Sequence, residues 1–305
     1  MDISPDEVTI LIPTLNEAPT IGELVRQFRA MGFPRIMVMD GHSTDGTAEL
    51  AIREGAEVLV QTGRGKGNAI IEAFSKITSP YVLMIDGDGT YSPADAELML
   101  TPLAKGADQV IGERFTRGRD AFSGLNLYGN RVLNYLFKVA HGAYLSDILS
   151  GYRAFKMAAI RQMQLFEGGF EIEAEIAVES VRNQHRIVVV PVSYMVRHGT
   201  LTKLRPFRDG MRIARTIYSL AKMNNPIFYF GLIGLVTALV GTGVGAYIVL
   251  EWLKGIEHIP LTILTMLLIT LGFQIFIFGL MGDMMLSFHR ELMHEIHNMR
   301  RPPLP

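Results

Sequence analysis

Two uncharged apolar runs near the C-terminus restrict this chain more than any other feature. Ile227 to Leu250 and Ile259 to Gly282 each hold about 24 residues without an Asp, Glu, Lys or Arg, and a bilayer core about 30 Å thick needs roughly 20 apolar residues as helix. Core helices of soluble proteins rarely stay uncharged for so long. The runs therefore predict a two-helix membrane hairpin over 226–286. Before it stand Lys203, Arg205, Arg208, Arg212, Arg215 and Lys222, and after it Arg290, Arg300 and Arg301. The link from Glu251 to His258 holds only Lys254 against Glu251 and Glu257. The positive-inside tendency then predicts an integral cell-membrane protein with the upstream domain and both termini in the cytoplasm. The acidic start, Met1-Asp2-Ile3-Ser4-Pro5-Asp6-Glu7, lacks the pattern of a secretory signal. Gly241 and Gly245 form a small-xxx-small pair, read as close helix packing or as a homo-oligomer formed through the transmembrane helices.

Upstream of the hairpin the composition is that of an ordinary globular domain. A net charge of −1 argues against nucleic acid as a partner. The absence of cysteine excludes disulfides and thiolate chemistry. Short apolar runs at Val8 to Ile12 (closed by Pro13), Arg35 to Met39, Val58 to Val60, Tyr81 to Ile85 and Gln109 to Ile111 read as strands. Helical patterns lie between them at Thr20 to Ala30, Thr44 to Glu54, Asn68 to Ile77 and Ala94 to Leu103. Such alternation predicts an α/β fold, a mostly parallel sheet with helices on both faces. Ligands bind such sheets beyond the carboxyl ends of the strands. Polar clusters sit there: Thr14-Leu15-Asn16-Glu17, Asp40-Gly41-His42-Ser43 and Asp86-Gly87-Asp88-Gly89. Phe122 to Ala140 is amphipathic, either a core-packed helix or one lying at the bilayer surface. Lys203 to Lys222 alternates cations with apolar residues and is predicted to be interfacial, with Asn224-Asn225-Pro226 starting the first span.

The chemistry-bearing residues follow from these positions. Asp86 and Asp88, two carboxylates at i and i+2 after an apolar strand, are hard oxygen ligands suited to Mg²⁺ or Mn²⁺ shared with substrate phosphates. Asp40 ends a strand, where it can accept hydrogen bonds from a base or ribose, whereas Asp45 reads as mainly structural. Gly63-Arg64-Gly65-Lys66-Gly67 is not a Walker A loop, because the spacing and the terminal Ser or Thr are missing. It can still set backbone donors and a cation against a nucleotide, or be a flexible turn. Glu171 and Glu173 alternate, and one of them is a candidate to touch a sugar.

Read in order, Thr-Leu-Asn-Glu (14–17), Asp-Gly-His-Ser-Thr-Asp-Gly-Thr (40–47), Gly-Arg-Gly-Lys-Gly (63–67), Asp-Gly-Asp (86–88), Ile-Gly-Glu-Arg-Phe (111–115), Asp-Ile-Leu-Ser-Gly-Tyr-Arg (147–153) and Arg-His-Gly-Thr-Leu-Thr-Lys-Leu (197–204) resemble the polyprenyl-phosphate glycosyltransferases of glycosyltransferase family 2. Dolichyl-phosphate mannose synthase is the type, and the wording is most similar to archaeal dolichyl-phosphate sugar synthases of S-layer N-glycosylation. The resemblance implies a Rossmann-like GT-A domain over 1–202, followed by a juxtamembrane amphipathic segment (203–225), the two transmembrane helices (226–286) and a cytoplasmic tail (287–305). It implies metal-dependent, inverting transfer of one sugar from a nucleotide-sugar donor to dolichyl or polyprenyl phosphate. Pro13, Asn16, Glu17, Asp40, Lys66 and Asp86 would hold the nucleotide, and Asp88, assisted by Asp86, the metal. Arg114, Arg131, Arg197 and Lys203 would neutralise the lipid phosphate and the leaving diphosphate, with Asp147, Ser150 and Arg153 shaping the acceptor side. Thr90 stands where members of the family often carry Gln, which implies a water in the metal shell. The Gln-x-x-Arg-Trp signature of processive synthases is absent, and the only tryptophan is Trp252, which favours a single transfer. A UDP-hexose or UDP-N-acetylhexosamine donor is favoured over GDP-mannose on resemblance alone. The readings from other classes are an inactive membrane scaffold that binds a nucleotide sugar, and a transporter. A hairpin with no intramembrane charge offers a transporter little pathway.

Overall fold

The computed structural model describes residues 3–115, 124–196 and 206–299. Its elements run β1 (Val8–Thr14), α1 (Ala18–Ala30), β2 (Arg35–Asp40), α2 (Thr47–Arg53), β3 (Glu57–Val60), α3 (Lys66–Lys76), β4 (Tyr81–Met84), α4 (Ala96–Ala104), β5 (Gln109–Phe115), α5 (Gly124–His141), β6 (Arg153–Lys156), α6 (Met157–Ile160), α7 (Ile172–Arg182), β7 (Ile187–Ser193), α8 (Pro206–Asn224), α9 (Pro226–Trp252) and α10 (Ile259–Met299). They form two compact units, residues 1–138 with 142–217, and residues 139–141 with 218–305.

The first unit is built on a seven-stranded sheet of order β3-β2-β1-β4-β6-β5-β7. All pairs are parallel except those of β6, which runs antiparallel to both β4 and β5. Period-two alternation divides each central strand between two cores. Val8, Ile10 and Ile12 of β1 and Leu83 of β4 join the core packed by α1 and α4, with Ile21, Val25, Met99 and Leu103. Leu11, Met37 and Met39, with Val82 and Met84, face α3 and α7 through Ile70, Phe74, Ile172 and Ile176. Both faces are therefore covered, as a parallel sheet requires.

Pro13 does not close β1, contrary to the sequence reading; the strand runs on to Thr14. Leu11 accepts a bond from Ile85 N on the β4 side, so Pro13, two residues on, turns its missing N–H to that same side. The β1–β4 register ends at Leu11↔Met84, and no ladder bond is lost there. Past that point β1 continues beside β2 alone, up to Thr14↔Asp40. A crevice at the β1/β4 boundary follows, where the strand order changes direction.

Four elements, β6, α6, α7 and β7, carry no expectation from the sequence. β6 is only four residues long and begins with a fully buried arginine. α7 buries Glu173, Glu175 and Glu179, which hides its amphipathic pattern. β7 does bear a clear apolar run, Ile187 to Val190.

The second unit contains the hairpin. α9 (27 residues) and the stretch Ile259–Phe288 of α10 (30 residues) are each long and apolar enough to cross a membrane, and only 11% of each most apolar window is buried. Pro226 opens α9 at its first turn, and the Asn225 side chain accepts from Phe228 N as its N-cap. The glycines let the two helices touch at backbone distance. A Cβ on Gly272 would lie 2.8 Å from Ala238 N, one on Gly241 2.9 Å from Leu268 Cβ, and one on Gly245 3.1 Å from the Thr265 methyl. The Gly241/Gly245 pair is thus used in packing α9 on α10 of the same chain. α10 continues unbroken through 286/287 as far as Met299.

Asp45 ties α1 to α2. Its Oδ2 accepts from Ala18 N at 3.0 Å, and its Oδ1 from Thr47 N and Thr47 Oγ1 at 3.1 and 2.5 Å. Partial burial pushes this carboxyl up, but the Thr47 and Ala18 hydrogen bonds outweigh it and hold it below the ordinary value. A depressed carboxylate stabilises the fold above its unfolded-state pKa and loses that contribution as pH falls through the folded-state value. Asp45→Ala is expected to lower stability by about 1 kcal/mol at neutral pH, with the difference from the parent shrinking as pH falls through the carboxyl's depressed folded-state pKa. Paired thermal melts across that range check it.

Candidate active site

The β1/β4 crevice receives the two carboxylates that follow β4. Asp86 and Asp88 flank Gly87, whose Cβ would press to 2.6 Å from the Thr14 methyl at the end of β1. Only glycine lets this turn lie so close to β1. Thr20 Oγ1 donates to Gly87 O at 2.6 Å and fixes the turn to α1. Thr90 N and Thr90 Oγ1 donate to Asp88 Oδ1 at 3.1 and 2.6 Å. Thr90 therefore orients Asp88 where a longer glutamine would reach past it. Asp86 is hemmed in on its other side, because a Cβ on Gly151 would fall on its carboxylate.

Lys66 begins α3 and lies nearly buried, with Nζ 2.5 Å from Asp86 Oδ1 and 2.5 Å from Glu173 Oε1. Burial works against the ammonium, but the Asp86 and Glu173 carboxylates outweigh it and hold its pKa above the ordinary lysine value. Lys66 is a charged member of the site at every physiological pH. Its loop is placed by glycines. A Cβ on Gly65 or Gly67 would run into the backbone carbonyls of Gly168 and Glu167, and Gly67 N donates to Gly168 O at 3.0 Å. The 63–67 segment is a packed turn, seated on the loop that leads into α7 and Glu173.

A second ion pair closes the far side. Arg114, near the end of β5, forks onto Asp147, with Nε and Nη2 each 2.7 Å from a carboxylate oxygen. Arg114 N and Asn130 Nδ2 add two further donors at 3.3 and 3.2 Å. Burial lowers the Arg114 pKa, but Asp147 beside it raises it well above the ordinary value. Arg114 also stands over the Tyr194 ring at 5.6 Å. Its fork, expected to meet phosphate, is closed on Asp147. Fully buried Arg153 donates from Nε to Ser150 O at 2.8 Å and from Nη2 to Ile148 O at 2.5 Å, while burial pushes its guanidinium down to about 10. It pins the 147–151 loop, whose two ends meet Arg114 and Asp86.

The ends of β1, β2 and β3 form the third part. Asn16, at φ 52°, accepts from Thr44 N through Oδ1 at 2.8 Å, and its own N–H donates to Ser43 Oγ at 2.8 Å. Glu17 N donates to Thr47 Oγ1 at 2.9 Å, which knits segment 14–17 to 40–47. Asp40 is buried, and its Oδ2 accepts from Ser43 N at 2.9 Å. Asp40 Oδ1, Thr14 Oγ1 and Gln61 Oε1 are buried with no hydrogen-bond partner among the described residues. Three polar atoms left unsatisfied at adjacent strand ends are costly unless a ligand or water meets them. Gln61 was not legible as a site residue, because nothing local marks a glutamine one residue past a strand.

Arg131 lies exposed on α5. Arg197 and Lys203 lie outside the described residues. Glu171 is buried within reach of Arg212, 4.0 Å away. Glu173, weighed from sequence for a sugar contact, instead meets Lys66.

Comparison with known proteins gives this arrangement its class. The profile of glycosyl transferase family 2 matches residues 9–163, which span both Asp86-Gly87-Asp88 and the 147–153 loop. The chain belongs to glycosyltransferase family 2. It is 46% identical to glycosyltransferase AglJ of Haloferax volcanii, over 97% of this chain and 99% of that one. It is 30% identical to a dolichyl-phosphate hexose transferase of the same organism, over 70% of this chain and 92% of the relative. Among solved structures, glucosyl-3-phosphoglycerate synthase of Mycobacterium tuberculosis, crystallised with Mn²⁺, UDP-glucose and phosphoglyceric acid, superposes with a TM-score of 0.60 at 22% identity. That match covers 70% of this chain and 79% of the synthase. The fold is GT-A, and the chain is a glycosyltransferase.

Gly151→Ala isolates the placement of Asp86 from its chemistry. The added methyl has nowhere to go but onto the carboxylate, so kcat/KM is expected to fall at least about tenfold with circular dichroism unchanged. Parent-like kinetics would show that the position of Asp86 is not critical.

Proposed function

We propose that this glycosyltransferase moves one hexose or N-acetylhexosamine, with inversion, from a UDP-sugar to dolichyl or another polyprenyl phosphate for protein glycosylation. The observation that carries the reading is the union, in one chain, of a GT-A site at the β1/β4 crevice with a glycine-packed hairpin of membrane length. An enzyme with a soluble acceptor has no use for the hairpin. The dolichyl-phosphate hexose transferase relative supports the same acceptor class. On this reading the hairpin crosses the cell membrane, and α8, with exposed Arg208, Arg212 and Arg215 beside exposed Phe207 and Met211, lies along its cytoplasmic surface.

A divalent ion fits the donor set. Among the described residues no group of three or more His, Asp or Glu side chains could hold a metal alone. One or two carboxylates completed by substrate phosphates are what Mg²⁺ or Mn²⁺ asks for. Asp88 is the principal ligand, with Asp86 beside it, and a bound ion there supplies positive charge to the departing diphosphate.

The chain's own residues do the rest. Asp40 Oδ1, Gln61 and Thr14 meet the base. Asp40 supports uridine over guanosine, because Ser43 N already occupies Oδ2. One carboxylate oxygen suits the single ring N–H of uracil, whereas guanine offers two adjacent donors. Lys66, Asp86 and Glu173 keep the floor of the site fixed, with the carboxylates in excess of the ammonium. The acceptor needs no strong base, since a phosphate monoester with a second pKa near 6 is already mostly dianionic at pH 7. Asp147 is accordingly free to serve Arg114 in place of taking a proton. Arg131, Arg197 and Lys203 supply cations to draw the lipid phosphate in.

Incubating the purified protein with Mg²⁺, dolichyl phosphate and a panel of nucleotide sugars, with mass spectrometry of the lipid extract, tests the reaction. A UDP-sugar is expected to yield a dolichyl-phosphate hexose, with UDP released. Product from GDP-mannose alone would overturn the donor, and product on no lipid phosphate would overturn the acceptor. Asp88→Ala is expected to lose at least about a hundredfold in turnover at saturating metal; near-normal turnover would remove Asp88 from the mechanism.

A further inference from the structure

α7 buries Glu173, Glu175 and Glu179, and of these Glu173 alone is paired with Lys66. Glu179 pairs with Arg182 at 2.8 Å and accepts from Gln164 N at 2.9 Å. Glu175 is 2% exposed and pairs with no cation among the described residues. Its oxygens accept instead from Phe166 N at 3.0 and 3.1 Å and from Glu167 N at 2.9 Å. Burial pushes its carboxyl above the ordinary value, and the charges of Glu167 and Glu179 add to the rise against the pull of the two N–H groups. A carboxylate buried at this cost on backbone donors alone marks a segment whose position matters. That segment turns N–H groups to α7 and carbonyls to α3. Gly168 O accepts from Gly67 N at 3.0 Å and from Asn68 N at 3.4 Å. Glu167 O stands where a Cβ on Gly67 would be, and Gly168 O where one on Gly65 would be. The backbone of 166–168 is thus wedged between Glu175 and the first turn of α3.

We propose that Glu175 is a positioning residue for sugar transfer, acting through the backbone of 166–168 to set the start of α3 and so the reach of Lys66 to Asp86. α7 then holds Lys66 twice. It holds the ammonium directly, through Glu173 at 2.5 Å, and the main chain indirectly, through Glu175 and the Gly168 carbonyl. Residues 173 and 175 lie about 200° apart around the helix, so the two contacts leave one placement of α7 against α3. The role requires an acceptor oxygen and not a charge, because Oε2 alone accepts from both N–H groups. Glutamine keeps one such oxygen. Methionine, of similar length, has none and leaves two buried N–H groups unpaired.

The placement of Lys66 can be read without a ligand. Full-length protein is pulsed with acetic anhydride, and acetylation of Lys66, Lys76 and Lys156 is followed by peptide mass spectrometry. Glu175→Met is expected to raise the Lys66 rate at least about fivefold, since a displaced ammonium loses the carboxylates that cover it, with Lys76 and Lys156 unchanged. Glu175→Gln should return the parent rate. Glu179→Met, which releases Gln164 N from the same helix, should leave Lys66 unchanged. Where Glu175→Met does not fold, Glu175→Asp, which draws the carboxylate back by one methylene, reads the same quantity. A kinetic arm rests on the function proposed above. The KM for the UDP-sugar is expected to rise about tenfold in Glu175→Met, with kcat within about threefold, and to recover in Glu175→Gln. Parent-like Lys66 labelling in the Glu175→Met or Glu175→Asp protein overturns the proposal, as does labelling that rises equally at Lys76 and Lys156. Raised Lys66 labelling with a parent-like KM makes Glu175 a brace of the fold alone and also overturns it. If the parent transfers no sugar from a UDP donor, the proposed donor fails, and the same two arms run on the nucleotide sugar that the parent does use decide the role of Glu175.

Discussion

A lysine buried between two carboxylates holds the centre of this molecule. Lys66 stands at the start of α3, Asp86 at the end of β4, and Glu173 in the first turn of α7. Three chain segments far apart in sequence are joined by one ammonium. Such a triad gains little over a well-packed apolar substitute, because burial costs each ion much of what pairing returns. Its value lies in intolerance of error. Displacing the lysine would leave two carboxylates facing each other uncompensated, and displacing either carboxylate would cut its segment from the other two, so the relative positions of sheet, α3 and α7 are narrowly set. The glycines at 65, 67 and 151 follow from the same demand, because each marks a place where backbone or carboxylate must approach too closely for a Cβ, and Gly87 leaves room for the Thr14 methyl.

The Arg114–Asp147 pair repeats this logic on the other side, with Arg153 bracing the loop between. Charges of opposite sign alternate across the floor of the crevice, Arg114 with Asp147 and Lys66 with Asp86 and Glu173. A phosphate-rich substrate meets a site whose fixed charges are already paired and oriented, so little reorganisation accompanies the chemistry. Thr14 Oγ1, Asp40 Oδ1 and Gln61 Oε1, buried without partners among the described residues, lie at the ends of β1, β2 and β3, where a nucleoside rather than a diphosphate would sit.

The second unit works by a different physics. No hydrophobic driving force holds two helices together in lipid, so close backbone packing takes its place. The glycines of α9 and α10 serve that purpose within one chain. Asn225 caps α9 and bonds the end of α5, so a polar residue at the mouth of the span does two tasks.

Much of this was legible in the sequence because it depends on local pattern. Hairpin length, the order of β and α segments, the Asp-Gly-Asp turn after an apolar strand and the family motifs all follow from neighbours within a few residues, and the physics of periodicity and burial reads them directly. What remained hidden depends on contacts distant in sequence. β6 enters antiparallel as four residues behind a buried arginine. Glu173 and Gln61 gain their roles only from partners brought to them by the sheet. The pairing of Arg114 with Asp147, 33 residues on, is likewise set only in space. Gly241 and Gly245 are ambiguous until α10 lies against them. The sequence by itself determined which segments must be buried, in protein or in lipid. The tertiary structure decided which charges neutralise one another, because pairing energy depends on distance through space, and distance through space is not written along the chain.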